Sequence, residues 1–87
     1  MERVHLRIHG IVQGVGFRPF IHKLVGSYGL TGYIKNTSSG VELELEGSRP
    51  ALERFVRDVP ERAPKLAVIE SVEAEYSDEL RGFTGFE

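Results

Sequence analysis

Twice along this chain the spacing of apolar residues shifts from every second position to every third and fourth, and back again. That double switch restricts the fold more than any other feature of the sequence. Val4, Leu6 and Ile8 alternate with Arg3, His5, Arg7 and His9, the pattern of a strand with one buried face. Ile21, Leu24, Val25 and Tyr28 then fall at i, i+3, i+4 and i+7, one face of a helix. Pro19 suits the first turn of that helix, and Gly29 suits its C-terminal cap. Leu30 to Lys35 reads as a second strand, followed by the turn cluster Asn36-Thr37-Ser38-Ser39-Gly40. Val41, Leu43 and Leu45 alternate with Glu42, Glu44 and Glu46 in the clearest strand of the chain. Ser48 can cap a second helix, in which Leu52, Phe55, Val56 and Val59 repeat the helical spacing and which Pro60 and Pro64 are expected to end. Val72, Ala74 and Tyr76, separated by Glu73 and Glu75, give a fourth strand, and Phe83 to Phe86 a short fifth.

The order β-α-β-β-α-β, with a short strand added, predicts an α+β fold of the ferredoxin-like, split βαβ kind. Two amphipathic helices would cover one face of an antiparallel sheet of four to five strands. The other face, carrying Arg3, His5, Arg7, Glu42, Glu44 and Glu46, is expected to be wet. At 87 residues the whole span 1–87 is read as one small domain with one core. There is no cysteine, which excludes a disulfide scaffold, a thiolate zinc site, an iron–sulfur cluster and a cysteine nucleophile. The net charge of −2 provides no bulk positive field for nucleic acid or an anionic membrane, and neither is expected as a partner. The uncharged runs are far shorter than the ~20 apolar residues of a membrane span. Met1-Glu2-Arg3 leads directly into the first strand pattern, so no signal peptide is read and a cytoplasmic location is expected.

Chemistry is most concentrated at the first strand–helix junction, Gly10 to Phe20. Glycines there allow positive φ and close approach of a ligand to the backbone, and successive N–H groups can then form a concavity for an anion. The helix start adds free N–H groups and partial positive charge. Arg18 stands at that junction, and its planar guanidinium can bond two oxygens of one phosphate. On spacing alone, a tight turn with a solvated arginine fits these residues as well as a phosphate cradle. The spacing matches neither a P-loop nor a dinucleotide fingerprint. In a split βαβ fold the ends of strands one and two share an edge of the sheet, so Asn36 can approach the loop. Its amide can orient a water molecule, although a turn-forming asparagine is the plainer reading of that residue alone. His5 and His9 share a strand face without a third ligand, His22 falls off the apolar helix face, and the three glutamates read as a solvated stripe.

Val12-Gln13-Gly14-Val15-Gly16-Phe17-Arg18 closely resembles the phosphate-binding loop signature of the acylphosphatase family. Asn36, with Gly40 and Val41, resembles that family's second motif, and the resemblance runs through the Phe-Thr-Gly-Phe-Glu ending. Phe17-Arg18-Pro19-Phe20 and Asn36-Thr37-Ser38-Ser39-Gly40-Val41 are most similar to one branch, the N-terminal acylphosphatase-like domain of the carbamoyltransferase that matures nickel–iron hydrogenases. The resemblance implies hydrolysis of small-molecule acyl phosphates without metal or other cofactor. In this implied mechanism Arg18 and the backbone N–H groups of Gln13, Gly14, Val15, Gly16, Phe17 and Arg18 bind the phosphate, and Asn36 positions the attacking water. The branch implies carbamoyl phosphate as substrate. It also implies, as partners, the remaining domains of a carbamoyltransferase and its maturation partner. In isolation a monomer is expected.

Two other classes share parts of this pattern. An RNA-recognition domain has the same element order but needs aromatic residues on the exposed face of strands one and three, where this chain carries Arg3, His5, Arg7, Glu42, Glu44 and Glu46. A catalytically idle module that recognises a phosphate-bearing ligand, or docks within a larger carbamoyltransferase, needs the same loop and the same arginine. Activity, not binding, separates it from an enzyme.

Overall fold

A computed structural model describes all 87 residues. The elements are β1 (Glu2–Ile11), α1 (Phe17–Tyr28), β2 (Thr31–Thr37), β3 (Gly40–Gly47), α2 (Arg49–Arg62) and β4 (Val68–Ser77). The four strands form one antiparallel sheet in the order β2-β3-β1-β4. Both β1 and β2 run antiparallel to β3, so they end at the same edge of the sheet, where α1 begins.

Strand alternation decides which face is buried. Val4, Leu6 and Ile8 of β1 and Val41, Leu43 and Leu45 of β3 all point to the helix side and are essentially inaccessible. Ile21, Leu24 and Val25 of α1 and Leu52, Phe55 and Val59 of α2 close over them to form the core. Ser48 caps α2 as expected, its hydroxyl accepting from the Ala51 N–H at 3.3 Å. The expected stop at Pro60 is not observed, because α2 continues through it to Arg62. The missing N–H of Pro60 costs one bond, that to the Val56 carbonyl, and the ladder resumes for the two residues that remain. The helix ends instead at Ala63, whose extended ψ of 149° is what a residue before proline adopts.

The expected wet face needs a larger correction. Glu44 and Glu46 are buried, at 8% and 3% exposure. After β4 the chain crosses the open face of the sheet and is tied down by these two carboxylates. Glu46 accepts the backbone N–H groups of Arg81 and Phe83. Glu44 accepts from Arg3 at 2.5 Å, Tyr33 at 2.6 Å and Arg81 at 3.2 Å. The rest of that face is laced by cross-strand pairs, since basic β1 lies between acidic β3 and acidic β4. His5 and Arg7 oppose Glu44 and Glu42 on one side and Glu75 and Glu73 on the other.

The last residues then run beside β2. Gly32 N–H donates to Gly85 at 2.8 Å, and Glu87 N–H donates to Gly32 at 3.2 Å. With Ile34 N–H donating to Glu87 at 3.4 Å they make one isolated bridge, between Gly32 and Phe86, in place of the expected fifth strand, and the sheet has four strands.

Candidate anion-binding site

The first strand continues through Gly10 and Ile11, so the loop is shorter than the sequence suggests and occupies residues 12–16. Buried Val12 and buried Phe17 fix its two ends to the core, each at 1% exposure. Between them Gly14 and Gly16 adopt φ of 73° and 79°, the left-handed region. A Cβ at either position would meet nothing within 4 Å. The turn therefore requires glycine for its backbone conformation and not for lack of space. Gly16 is the N-cap of α1.

That geometry leaves donors facing outward. The first backbone bond into α1 runs from Phe20 N–H to the Gly16 carbonyl at 3.3 Å. Pro19 has no N–H, so the N–H groups of Phe17 and Arg18 are the unpaired donors of the first turn. No acidic residue occupies that turn, and the positive end of the helix is left uncompensated.

Asn36 comes to this loop from β2. Arg18 Nη1 donates to Asn36 Oδ1 at 3.3 Å, and Arg18 Nη2 donates to the Ile34 carbonyl at 3.4 Å. Gln13, Gly14, Gly16, Phe17, Arg18 and Asn36, joined by Val12 and Pro19, line a concavity of about 270 Å³. Arg18 is the one charged side chain in that lining. A hollow of about 470 Å³ lies under the C-terminal segment, but no arginine, lysine or helix start faces it. Size favours that hollow, whereas convergent donors favour the loop.

Most of the residues singled out from the sequence are thus brought together. Val15 is the exception, since it lies outside the lining and packs on the core. The imidazoles lie elsewhere. His5 sits 3.3 Å from Glu42, and His9 bonds Ser39 at 2.9 Å and Glu73 at 3.3 Å, so both are held in cross-strand pairs and are not freely solvated. His22 meets the Phe86 ring edge-on, with centroids 4.7 Å apart. No three His, Asp or Glu side chains converge as a metal-ligand set. Sequence reasoning missed the Ile34 carbonyl as a holder of Arg18. No side-chain signal could have found it, because the acceptor is a backbone carbonyl.

The fold is an open split βαβ sandwich whose first strand–helix loop presents backbone N–H groups and one arginine, an arrangement that could hold a small anion. The acylphosphatase family model matches residues 4–87. An acylphosphatase of Caldivirga maquilingensis is 41% identical over 86 residues, covering 97% of this chain and 90% of that protein. A probable carbamoyltransferase HypF of Methanocaldococcus jannaschii is 35% identical over 85 residues, covering 98% of this chain but 11% of that protein. The crystal structure of an acylphosphatase from Bacillus subtilis superposes with a TM-score of 0.92 at 31% identity, covering 99% of this chain and 96% of that one. The chain belongs to the acylphosphatase family.

Proposed function

We propose that this chain, residues 1–87 acting as one acylphosphatase-like domain, hydrolyses acyl phosphates to a carboxylate and inorganic phosphate. One observation carries the reading: Arg18, Asn36 and the N–H groups of the glycine loop converge on one concavity, although Arg18 and Asn36 are 18 residues apart. The loop and the guanidinium hold the phosphoryl oxygens, and Asn36 aligns a water for attack on phosphorus. The bond from phosphorus to the acyl oxygen breaks. Phosphoryl transfer needs positioning and charge stabilisation above all, which these donors supply. The leaving group is a carboxylate, whose conjugate acid has a pKa of about 4. It departs without a general acid, which accords with a site holding neither histidine nor carboxylate.

The test is phosphate release from carbamoyl phosphate and from a simple aromatic acyl phosphate. Arg18→Ala should lose phosphate binding and about 10²–10³ in rate. Asn36→Ala should lose turnover while still binding inorganic phosphate. Turnover left intact in Asn36→Ala would remove the water-positioning role. Preference for carbamoyl phosphate would place the chain in the carbamoyltransferase branch.

A second reading is favoured by one fact. The chain spans 11% of the length of the carbamoyltransferase it resembles. In such a setting the domain recognises a phosphate ligand, or docks against the enzyme's other domains, without turnover. Phosphate binding through Arg18 with no release from either substrate would select it.

A further inference from the structure

The loop and the asparagine come from separate parts of the chain, and the reaction requires them in register. Two side chains join them: Arg18, which reaches Asn36 Oδ1 and the Ile34 carbonyl, and Gln13. Gln13 Nε2 donates to the Thr37 carbonyl at 3.1 Å and to the Gly40 carbonyl at 2.9 Å. Both partners are acceptors, so only the NH₂ end of the amide fits there, and its two hydrogens are both used. Thr37 and Gly40 are the register pair that closes the β2–β3 hairpin, and Thr37 directly follows Asn36.

We infer that the Gln13 side chain is a positioning residue, locking the hairpin that carries Asn36 to the loop that carries the phosphate. This rests on the acyl phosphate hydrolysis proposed above. The hairpin's inner strand β3 is paired with β1 as far as His9 opposite Gly40, and its tip has further ties. Gly10 N–H donates to the Ser39 carbonyl at 3.0 Å, and His9 bonds the Ser39 hydroxyl at 2.9 Å. Without Gln13 those ties all reach β3 or the tip, and the Arg18 bonds alone hold the β2 end beside Asn36 to the loop, so Asn36 sits less accurately over it. Gln13 itself is exposed. Water can replace both of its hydrogen bonds, so their effect is alignment more than stability. Water cannot replace the covalent link between those bonds and the loop backbone.

The experiment compares Gln13→Met, which keeps length and loses the donors, with Gln13→Lys, whose ammonium can donate to both carbonyls. Gln13→Asn, one methylene short, serves as a second loss variant should Met fold poorly. In the loss variants kcat for an acyl phosphate should fall about ten- to a hundredfold, the cost of an ångström-scale misplacement. The loss should fall on kcat more than on KM, and the thermal midpoint should stay close to that of the wild type. Lysine should restore most of kcat. If Gln13 acts through Asn36, the loss must vanish in an Asn36→Ala background, because contacting groups in one network are not additive. Wild-type kcat in both loss variants would overturn the inference, as would a loss that persists undiminished in Asn36→Ala. A wild-type chain with no turnover at all would instead sink the hydrolysis reading, so the two failures are distinct.

Discussion

At Gly16 the backbone sits at φ 79° with open space where a Cβ would point. Gly16→Ala should therefore cost only the left-handed strain, about 1–2 kcal/mol, read as a drop in the urea midpoint. Gly16→Asn should lose less, since asparagine tolerates that conformation. Both should weaken inorganic-phosphate binding if the strained residue relaxes and turns its N–H away. Stability and phosphate affinity unchanged in Gly16→Ala would mean that the loop does not depend on this conformation. At this scale the sequence was legible wherever a residue type carries the chemistry: glycines before a helix, an arginine beside them, an asparagine at a strand end. It was silent where the partner is a backbone carbonyl. Ile34, Thr37 and Gly40 hold Arg18 and Gln13 through atoms that every residue has, so no choice of side chain advertises them. Val15 enters the resembled loop through its backbone N–H, which leaves its partly buried side chain free to pack on the core.

The two helices are joined by more than apolar contact. The Tyr28 hydroxyl of α1 donates to the Asp58 carboxylate of α2, and Arg62 lies 3.9 Å from the same carboxylate. The hydrogen bond to Asp58, with burial and the aspartate's charge adding, raises the Tyr28 phenol above its ordinary value of 10.0. A raised phenol favours the protonated form in the fold. Its stabilisation is whole below pH 10 and is lost as pH rises through the folded value. Asp58→Ala should bring the Tyr28 titration back toward 10.0 by ultraviolet absorbance and lower the thermal midpoint at neutral pH. A Tyr28 titration unmoved by the substitution would refute the pairing. Element order and the apolar faces were read correctly because periodicity of two or three to four survives any tertiary context. Ends were read less well. Pro60 is tolerated near a helix terminus, and strand pairing carries β1 into the glycine segment and β2 through Thr37.

Over the whole molecule, the C-terminal crossing converts an alternating strand into a two-sided interior. The polar positions of β3 were read as wet because alternation reports two faces and not what covers the second one. A segment nearly 40 residues downstream supplies the cover, at separations of 35 and 37 residues between Glu46 or Glu44 and their tail partners. Burial pushes the Glu44 carboxyl up, but hydrogen bonds from Tyr33, Arg81 and Arg3 outweigh it and hold it below 4.5. The contribution to stability is thus present above pH 4.5 and lost as pH falls through the depressed folded value. Burial, and then the bond to Glu44, push the Tyr33 phenol up to about 12, so the same cluster also loses stability as pH rises from 10 toward 12. Denaturant midpoints across pH should fall at both ends, and Glu44→Gln should lower the midpoint at pH 7 while flattening the acid limb. An acid limb as steep in Glu44→Gln as in the wild type would assign the loss to other carboxylates. The strand order also has a consequence for synthesis. β1 is central, and one of its neighbours is β4, whose ladder pairs Arg3 with Ser77. On the ribosome, chains lengthen at about 5–20 residues per second, so β1 waits several seconds with one side unpaired before β4 exists. The charges of Arg3 and Arg7 and the polar rings of His5 and His9 keep that strand's polar face hydrated in the interval, and a nascent chain can carry its future central strand without offering a neighbour a smooth edge to join.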